Sequence, residues 1–217
     1  SQPVKWLMME TVMTAPPRPL SVIGGNIALD LVNTIDDEGG VNEFDHLGTA
    51  QSLLAWATDR TVIGSGESLS LARWVMSNPE EAGQQLAALH RLRRALYRTF
   101  AAVAGGTGSD AEDWRLVLEA EGAAILAAQL DLSGVPGRLR WPHPAELSSL
   151  THPIVHAGLV LLTSPEANRL KQCASCTWLF VDRSKNASRR WCAMDDCGKT
   201  TKMRRYTQRR AEQRRST

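Results

Sequence analysis

The sequence predicts a mainly α fold (α+β), in which a helical body with one small β-hairpin precedes a small C-terminal module. Apolar residues recur at helical spacing through much of the chain, and several of these segments begin with an N-cap residue or a proline. All four cysteines lie in one stretch near the C terminus, from Cys173 to Cys197. A length of 217 residues suits one medium domain followed by a small module.

The chain is expected to begin with an irregular arm. Residues 1–20 contain four prolines and little hydrophobic pattern, with a short ordered piece expected around residues 6–9. Gly24 and Gly25 then indicate a turn, and an apolar run over residues 27–32 follows it. The run is too short for its period to distinguish a strand from a helix.

Three polar residues in or beside this run, Asp30, Asn33 and Thr34, are candidate ligand-binding residues. A buried carboxylate needs partners, and a few polar groups among apolar walls are typical of a small-molecule pocket. The alternative is structural, because short polar side chains near the end of an element often satisfy backbone groups. Both interpretations stay open from the sequence.

Helix signals dominate the rest of the body. Asn78 and Pro79, followed by two glutamates, mark the start of the longest predicted helix. Alternating polar and apolar residues around a Gly-Val-Pro-Gly turn predict one hairpin. The predicted helices cover residues 49–59, 69–76, 79–104, 110–124 and 145–163, the predicted strands cover 125–133 and 138–141, residues 36–46 are predicted to be a loop, and residues 64–67 a turn.

The longest predicted helix carries a row of arginines, Arg91, Arg93, Arg94 and Arg98. One interpretation is a solvated face supported by opposite charges one turn away. The other is contact with a ligand or a phosphate group.

Few features of the sequence indicate catalysis. It contains no G-x-S-x-G nucleophile elbow, no G-x-G-x-x-G and no P-loop. His152 and His156 are four residues apart, as in helical zinc sites, but a proline stands where H-E-x-x-H has its glutamate. This pattern favours core or surface histidines.

The cysteines form two pairs, Cys173 with Cys176 and Cys192 with Cys197, separated by fifteen residues. Two thiolate pairs at such a separation can complete a tetrahedron around one Zn²⁺. Four protein ligands leave no open coordination position, so the prediction is one structural zinc ion. Two disulfides, or a redox pair with two bystanders, are the alternatives; disulfides are disfavoured because no signal peptide is recognised.

A small hairpin is expected to carry the metal. Residues 178–181 read as an apolar strand, 182–188 as a polar turn and 190–192 as the returning strand, with Phe180 and Trp191 as a miniature core. So small a fragment buries little apolar area. Metal binding must therefore supply much of its folding free energy, on the order of 10 kcal/mol for a zinc finger.

A helical pattern rich in basic residues follows the second cysteine pair. Residues 169–217 hold 14 Lys and Arg against 4 Asp and Glu, a net charge of +10, whereas residues 1–168 have a net charge of −8. A basic face that also carries Tyr206 and Gln213 suits phosphate contact with some reading of a groove. The residues predicted to contact nucleic acid are Arg189, Arg190, Lys199, Lys202, Arg204, Arg205, Arg209 and Arg210. A solubilising tail, a tail folded onto the acidic body, and a protein partner are the alternatives.

Two segments resemble a known family. Residues 24–34, Gly-Gly-Asn-Ile-Ala-Leu-Asp-Leu-Val-Asn-Thr, resemble the opening of the ABATE domain, and the cysteine module resembles the CGNR zinc finger that follows this domain. The module's matching residues are Cys173, Cys176, Phe180, Asp182, Ser184, Asn186, Arg189, Arg190, Trp191, Cys192, Met194, Cys197 and Gly198. The resemblance implies a bacterial transcription regulator with a helical sensor-like domain and a DNA-binding zinc domain, and it favours a helix over the run at 27–32. The chain departs from the family where Lys199 and Thr200 replace the Asn and Arg of Cys-Gly-Asn-Arg.

These patterns divide the chain into an irregular arm (1–20), an ABATE-like helical ligand-binding or sensor domain (21–166) and a zinc finger with a basic helix (167–217). The leading hypothesis is a cytoplasmic regulator that binds DNA. Its helical body is expected to sense a small-molecule effector or to form an oligomer such as a homodimer, with coupling through the predicted helix at 145–163. No apolar run approaches the roughly 18 residues of a membrane span. The alternatives are an enzyme acting in a pocket near Asp30, with the zinc module as a scaffold, and a non-catalytic binding or chaperone-like protein.

Overall fold

Helices make up most of the fold. The computed structural model describes residues 20–215, with side chains through Arg214, so the arm predicted over residues 1–20, including its expected ordered piece at 6–9, lies outside the described residues except at its last position. The described helices are α1 (Ile27–Val32), α2 (Ala50–Asp59), α3 (Ser65–Ser77), α4 (Pro79–Ala104), α5 (Ala111–Ala127), α6 (His152–Thr163) and α7 (Lys199–Arg215). Three antiparallel strand pairs join them: β1 (Ile35–Asp36) with β2 (Phe44–Asp45), β3 (Gln129–Asp131) with β4 (Arg138–Arg140), and β5 (Leu170–Gln172) with β6 (Leu179–Val181). The prediction of a mainly α fold with small hairpins is confirmed, and among the described helices none is both long and apolar enough to cross a membrane.

Side-chain caps fix where several helices begin. The backbone N–H of Ala28 donates to Asn26 Oδ1 at 2.8 Å, which starts α1 and decides that the ambiguous apolar run is a helix. Thr49 and Ser52 form a reciprocal capping box at the start of α2. Asp110 accepts hydrogen bonds from the first turn of α5. These helices therefore start within a residue or two of the predicted positions.

Three predicted boundaries were wrong. The helix predicted from residue 145 begins as α6 only at His152, after a 3-10 turn over Leu147–Thr151. Residues 64–67, predicted to be a turn, span the N-cap and first turn of α3, because Glu67 Oε2 accepts a hydrogen bond from the N–H of Gly64 at 2.6 Å. Helix α5 continues to Ala127, so the strand predicted from residue 125 is confined to β3. The indole of Trp141 donates to the carbonyl of Ala124 at 2.8 Å, which ties the end of α5 to the segment that follows the hairpin.

The loop predicted over residues 36–46 contains a further strand pair. Ile35 pairs with Asp45 in the β1–β2 register, and the two strands are only two residues long. So short a pair leaves no alternating pattern for the sequence to display.

Arg93 in α4 explains why that pair is held in place. Its side chain is fully buried, with 0% of its surface exposed. Nη1 donates to Thr34 Oγ1 at 2.8 Å and to Asp45 Oδ1 at 2.9 Å, and Nη2 donates to the other oxygen of Asp45. The interpretation of this arginine as part of a solvated face was therefore wrong. Arg93 forms an interior ion pair with Asp45 of β2 and a hydrogen bond to Thr34, and so joins α4 to β2 and to the end of α1.

Two neighbouring arginines pair nearer the surface. Arg94 contacts Glu38 and Glu43, with N–O distances of 2.6 Å to each. Arg98 Nε donates to Asp113 Oδ2 at 2.6 Å, which joins α4 to the first turn of α5. Both guanidinium groups are therefore paired with carboxylates of this chain.

The body helices approach most closely at Gly158 of α6. A Cβ atom placed there would lie 3.0 Å from the Cβ of Ala28 and 3.3 Å from the Cζ of Phe100. Helices α1, α4 and α6 thus meet at a position where only glycine fits without displacement.

The first part of the zinc module packs on the body. Leu170, Leu179 and Val181, from β5 and β6, are buried in the same apolar core as the helices. The predicted pairing of residues 178–181 with a strand at 190–192 was wrong, because β6 pairs with β5 instead. Arg190 keeps one backbone contact, in which its carbonyl accepts from the N–H of Ala174 at 2.9 Å.

Candidate metal centre and basic helix

The four cysteine sulfurs converge on one point. Their Sγ atoms all lie within 4.8 Å of one another, and Cys192 Sγ is 3.6 Å from the Sγ atoms of both Cys176 and Cys197. A tetrahedral zinc ion with Zn–S distances near 2.3 Å separates its sulfurs by about 3.8 Å. All four thiols are free rather than joined in disulfides. The donor set therefore fits one Zn²⁺, as the spacing predicted, and leaves no coordination position for a substrate.

The electrostatics of the cluster also call for a cation. Three of the sulfur-bearing residues are buried, and Cys176 is half-buried. Burial, followed by the charge of Cys176, raises the pKa of the Cys197 thiol. Four thiolates cannot coexist at neutral pH in so small a volume without a positive ion between them, and a divalent metal supplies that charge.

Two backbone turns hold the cysteine pairs. The N–H of Cys173 donates to the carbonyl of Trp178 at 2.9 Å, which closes the first turn directly after β5. The second pair is linked by a π-helical turn over residues 194–198, in which the N–H of Gly198 donates to the carbonyl of Ala193 at 3.0 Å. A Cβ atom at Gly198 would lie 2.5 Å from Sδ of Met194, an exposed and flexible side chain that would have to move aside.

Asp182 organises the loop between the cysteine pairs. Its side chain is fully buried and accepts hydrogen bonds from Lys171 Nζ at 2.7 Å, from the N–H and hydroxyl of Ser184 at 3.0 and 2.6 Å, and from the N–H of Arg189 at 2.9 Å. Burial opposes ionisation, but these bonds outweigh it and hold the pKa of Asp182 well below its usual value. The sequence offered Asp182 only as a residue of the family pattern, without this role.

The two arginines before Cys192 have different environments. The guanidinium of Arg189 lies 4.2 Å from the ring centroid of Phe180, and it donates to the carbonyls of Trp191, at 3.0 Å, and Cys192. Arg190 is exposed and lies over Trp191, 5.5 Å from the ring centroid. Arg189 therefore braces the metal centre, while Arg190 faces solvent.

Helix α7 extends from the metal centre into solvent. Thr201 Oγ1 donates to the carbonyl of Cys197 at 2.8 Å, and every residue over 202–214 is exposed. Lys199 pairs with Asp195, with an N–O distance of 3.1 Å. Of the residues predicted to contact nucleic acid, those in α7 are all exposed. Arg190 lies beside the metal centre, and Arg189 lies within the zinc module.

Two family matches divide the chain at the start of this module. Residues 25–165 match ABATE, described as a "Putative stress-induced transcription regulator", and residues 169–210 match the CGNR zinc finger. The chain belongs to the ABATE family. The architecture suggested by the resemblance is thereby confirmed: an ABATE domain precedes a CGNR zinc finger. A search of curated proteins found no match.

In the ABATE domain, the three predicted ligand residues are buried and hydrogen-bonded within the protein. Asp30 Oδ1 accepts from the N–H of Gly24 at 3.0 Å, and Thr34 Oγ1 donates to the carbonyl of Leu31 at 2.6 Å. Asn33 donates from Nδ2 to the carbonyl of Leu179 and accepts at Oδ1 from its N–H, both at 2.8 Å. These bonds agree with the structural alternative; ligand binding and catalysis near Asp30 stay predictions.

Two cavities lie elsewhere. One, of about 240 Å³, lies in the ABATE domain and is lined by Trp141, three prolines and Glu67 among others. The second, of about 430 Å³, lies between the end of α4 and the zinc finger. Neither is lined by the predicted ligand residues. His156 Nδ1 lies 2.7 Å from Glu121 Oε1, which agrees with a packed histidine in place of a second metal site.

Proposed function

We propose that this ABATE-family chain is a transcription regulator that binds DNA through α7 and the zinc finger. The observation that carries the proposal is the placement of α7: it begins two residues after the last cysteine ligand and exposes its basic residues along its length. The family description supports a regulator. DNA is the polyanion that a regulator of transcription has to recognise.

The composition of α7 suits a nucleic acid better than a protein core. Lys199 to Arg215 contains eight Lys and Arg and one glutamate, and its two large apolar or aromatic residues, Met203 and Tyr206, are 65% and 57% exposed. Packing therefore does not hold the helix against the body. A helix of this length extends roughly 25 Å, and the major groove, about 12 Å wide, admits an α-helix.

Zinc, when bound, would supply the charge and the rigidity that hold the two cysteine pairs together. Cys192 precedes the turn over 194–198, Cys197 lies within it, and α7 continues from its end. A fixed turn sets the direction in which α7 leaves the module. Because nucleating a helix is costly and extending it is not, a fixed turn also favours the helix beyond it.

The test is DNA binding measured by fluorescence anisotropy on a mixed-sequence duplex at several salt concentrations. We expect Arg205→Ala/Arg209→Ala to weaken binding at least about tenfold and to reduce the slope of log K against log salt by about 2, because each lost phosphate contact removes about 0.9. The matched control is Arg73→Ala/Arg91→Ala, which removes two exposed arginines from the body. The control should bind as the wild type does.

Two results would overturn the proposal. The first is wild-type affinity and salt slope in the α7 variant while its zinc content and circular dichroism are unchanged. The second is an equal loss in the α7 variant and the body control, since that would indicate a general effect of net charge.

We propose further that an effector acts through the amide of Asn33. This side chain bonds to both backbone groups of Leu179, in the strand that follows the first cysteine pair. A ligand that bound at Asp30, Asn33 and Thr34 would have to compete with these bonds, and would thereby loosen the zinc finger from the body. The expected result is faster release of zinc to a chromogenic chelator when the effector is present.

A further inference from the structure

The cavity between the end of α4 and the zinc finger has the composition of an anion site. Lys171, Arg189 and Arg190 line it from the zinc finger, Ala104 and Gly105 line it from α4, and no carboxylate-bearing residue is among its lining residues. It is a shallow depression of about 430 Å³ that is largely open to solvent, so a group on an extended polymer could reach it. Small side chains at the end of α4 leave room for a ligand to approach.

Two of these cations are held in place by the fold. Lys171 Nζ donates to Asp182 at 2.7 Å and to the carbonyls of Ala187 and Arg189. Arg189 is fixed by its stacking on Phe180 and by hydrogen bonds from Nε and Nη2 to the carbonyls of Trp191 and Cys192. These bonds do not use Nη1, which could therefore donate to an anion. The Lys171 charge is largely balanced by Asp182, so the two guanidinium groups supply the net positive charge of the cleft.

Arg190 supplies the solvent-exposed part of the site. Its backbone is tied to Ala174 through a 2.9 Å hydrogen bond, while its side chain is exposed and lies over Trp191. A planar guanidinium can bind a phosphate group through two parallel hydrogen bonds. One fixed and one adjustable guanidinium make a site suited to such a group.

The end of α4 opposes an anion less than a bare helix end would. The N–H groups of Gly105, Gly106 and Thr107 donate to the carbonyls of Ala101, Val103 and Ala102, at 2.8 to 3.1 Å. These bonds satisfy carbonyl groups that carry the partial negative charge of a helix C terminus.

We infer that this cleft binds a phosphodiester group of the DNA that α7 contacts, so that the DNA footprint extends from the zinc finger onto the end of α4. The inference rests on the proposed function, because it adds a second contact region to the same partner. The contact joins the ABATE domain to the DNA directly. It also explains how a body of net negative charge can lie beside DNA: no carboxylate-bearing residue lines the cleft where the end of α4 meets the basic module.

The first experiment replaces the adjustable guanidinium. In the anisotropy assay described above, Arg190→Ala should weaken binding about three- to tenfold and reduce the salt slope by about 1. Arg190→Lys should keep the slope near the wild-type value while recovering only part of the affinity, because an ammonium lacks the two-pronged geometry. An unchanged slope in Arg190→Ala would overturn the inference.

The second experiment tests the body's side of the cleft without altering the zinc finger. Ala104→Glu places a carboxylate in the cleft, and Ala88→Glu places the same charge on an exposed position of the same helix, sixteen residues earlier. We expect Ala104→Glu to weaken DNA binding at least about fivefold more than Ala88→Glu, since a charge at the contact acts more strongly than a screened distant one. Equal effects would contradict a phosphate in the cleft.

The two proposals fail in different ways. Suppose that the α7 variant loses binding, that Arg190→Ala binds as the wild type does, and that Ala104→Glu binds as Ala88→Glu does. The cleft is then not a DNA contact, and the proposed function stands. If the α7 variant also binds normally, the proposed function fails. Zinc content and thermal midpoint are measured for each variant; if Ala104→Glu does not fold, the slope for Arg190→Ala, a change at an exposed side chain, decides.

Discussion

Asn33 joins the two family regions through its side-chain amide. Its amide donates to the carbonyl of Leu179 and accepts from its N–H, so it pairs with β6 as a neighbouring strand would. Both residues are buried, with 3% and 0% of their surfaces exposed. Two backbone groups that water cannot reach therefore depend on a single side chain from α1's C-cap position.

We predict that Asn33→Ala lowers the free energy of unfolding by about 2–4 kcal/mol, because it leaves two buried backbone groups without partners. Urea denaturation followed by circular dichroism measures the change. Asn78→Ala is the matched control. The Asn78 amide donates to the carbonyl of Trp74, four residues earlier, at 2.9 Å. Losing this bond should lower the free energy of unfolding by about 1 kcal/mol or less. Equal destabilisation by the two variants would contradict a special role for Asn33.

At the scale of elements, Arg93 sets the position of α4 against the β1–β2 pair. Removing one partner of a buried ion pair leaves an uncompensated group, so Arg93→Met should destabilise the protein by about 3–5 kcal/mol. Arg91→Met, two residues away and exposed, should change stability by less than about 0.5 kcal/mol. Adding Asp45→Asn to Arg93→Met should restore part of the loss; an additive double variant would show that the two residues are not coupled.

The ion pair of Arg93 with Asp45 also predicts that the stability of the protein depends on pH. Burial raises the pKa of Asp45, but hydrogen bonding and charge from Arg93 outweigh it and lower the pKa below the usual value. A carboxylate with a lowered pKa in the folded state stabilises the protein above the unfolded pKa of about 4 and loses that effect as pH falls through the folded value. The stability difference between wild type and Asp45→Asn, measured by urea denaturation, should therefore be constant near neutral pH and shrink below about pH 4. A difference independent of pH would contradict the pairing.

The metal ligands and most helices could be predicted from the sequence because their signals are local. The spacing within each cysteine pair, and the proline after Asn78, are each visible within a few consecutive residues. The partner of Asn33 lies 146 residues away, and the partner of Arg93 on β2 lies 48 residues away. Nothing in the row of arginines distinguishes the buried Arg93 from Arg94 and Arg98, which form ion pairs nearer the surface. The strand pairing of the zinc module was wrong for the same reason: β5 is defined by its packing on the body, and its own three residues carry no strand pattern.

At the scale of the whole molecule, the zinc finger and the ABATE domain share a core. Leu170, Leu179 and Val181 are buried with the body helices, and Tyr97 of α4 donates to the carbonyl of Thr177, inside the loop that follows the first cysteine pair, at 3.1 Å. A finger that hung from a flexible linker would make few such contacts. The metal centre therefore stabilises the junction between the two regions, and loss of the metal should lower the stability of the ABATE domain as well as that of the zinc finger.

We predict that removing zinc destabilises the ABATE domain as well as the finger. Zinc contributes several kcal/mol to the folded state, and in a protein of this size each kcal/mol shifts the thermal midpoint by about 2–4 °C, so chelation should lower the midpoint of the main helical transition by at least about 10 °C. Calorimetry of the zinc-loaded protein should show one cooperative transition, with calorimetric and van't Hoff enthalpies that agree. A Cys192→Ser variant controls for effects of the chelator: it should begin with a lowered midpoint and respond little to further chelation. Two separate transitions, with the larger one unmoved by chelation, would mean that the finger folds independently and that the shared core does not couple the metal to the body.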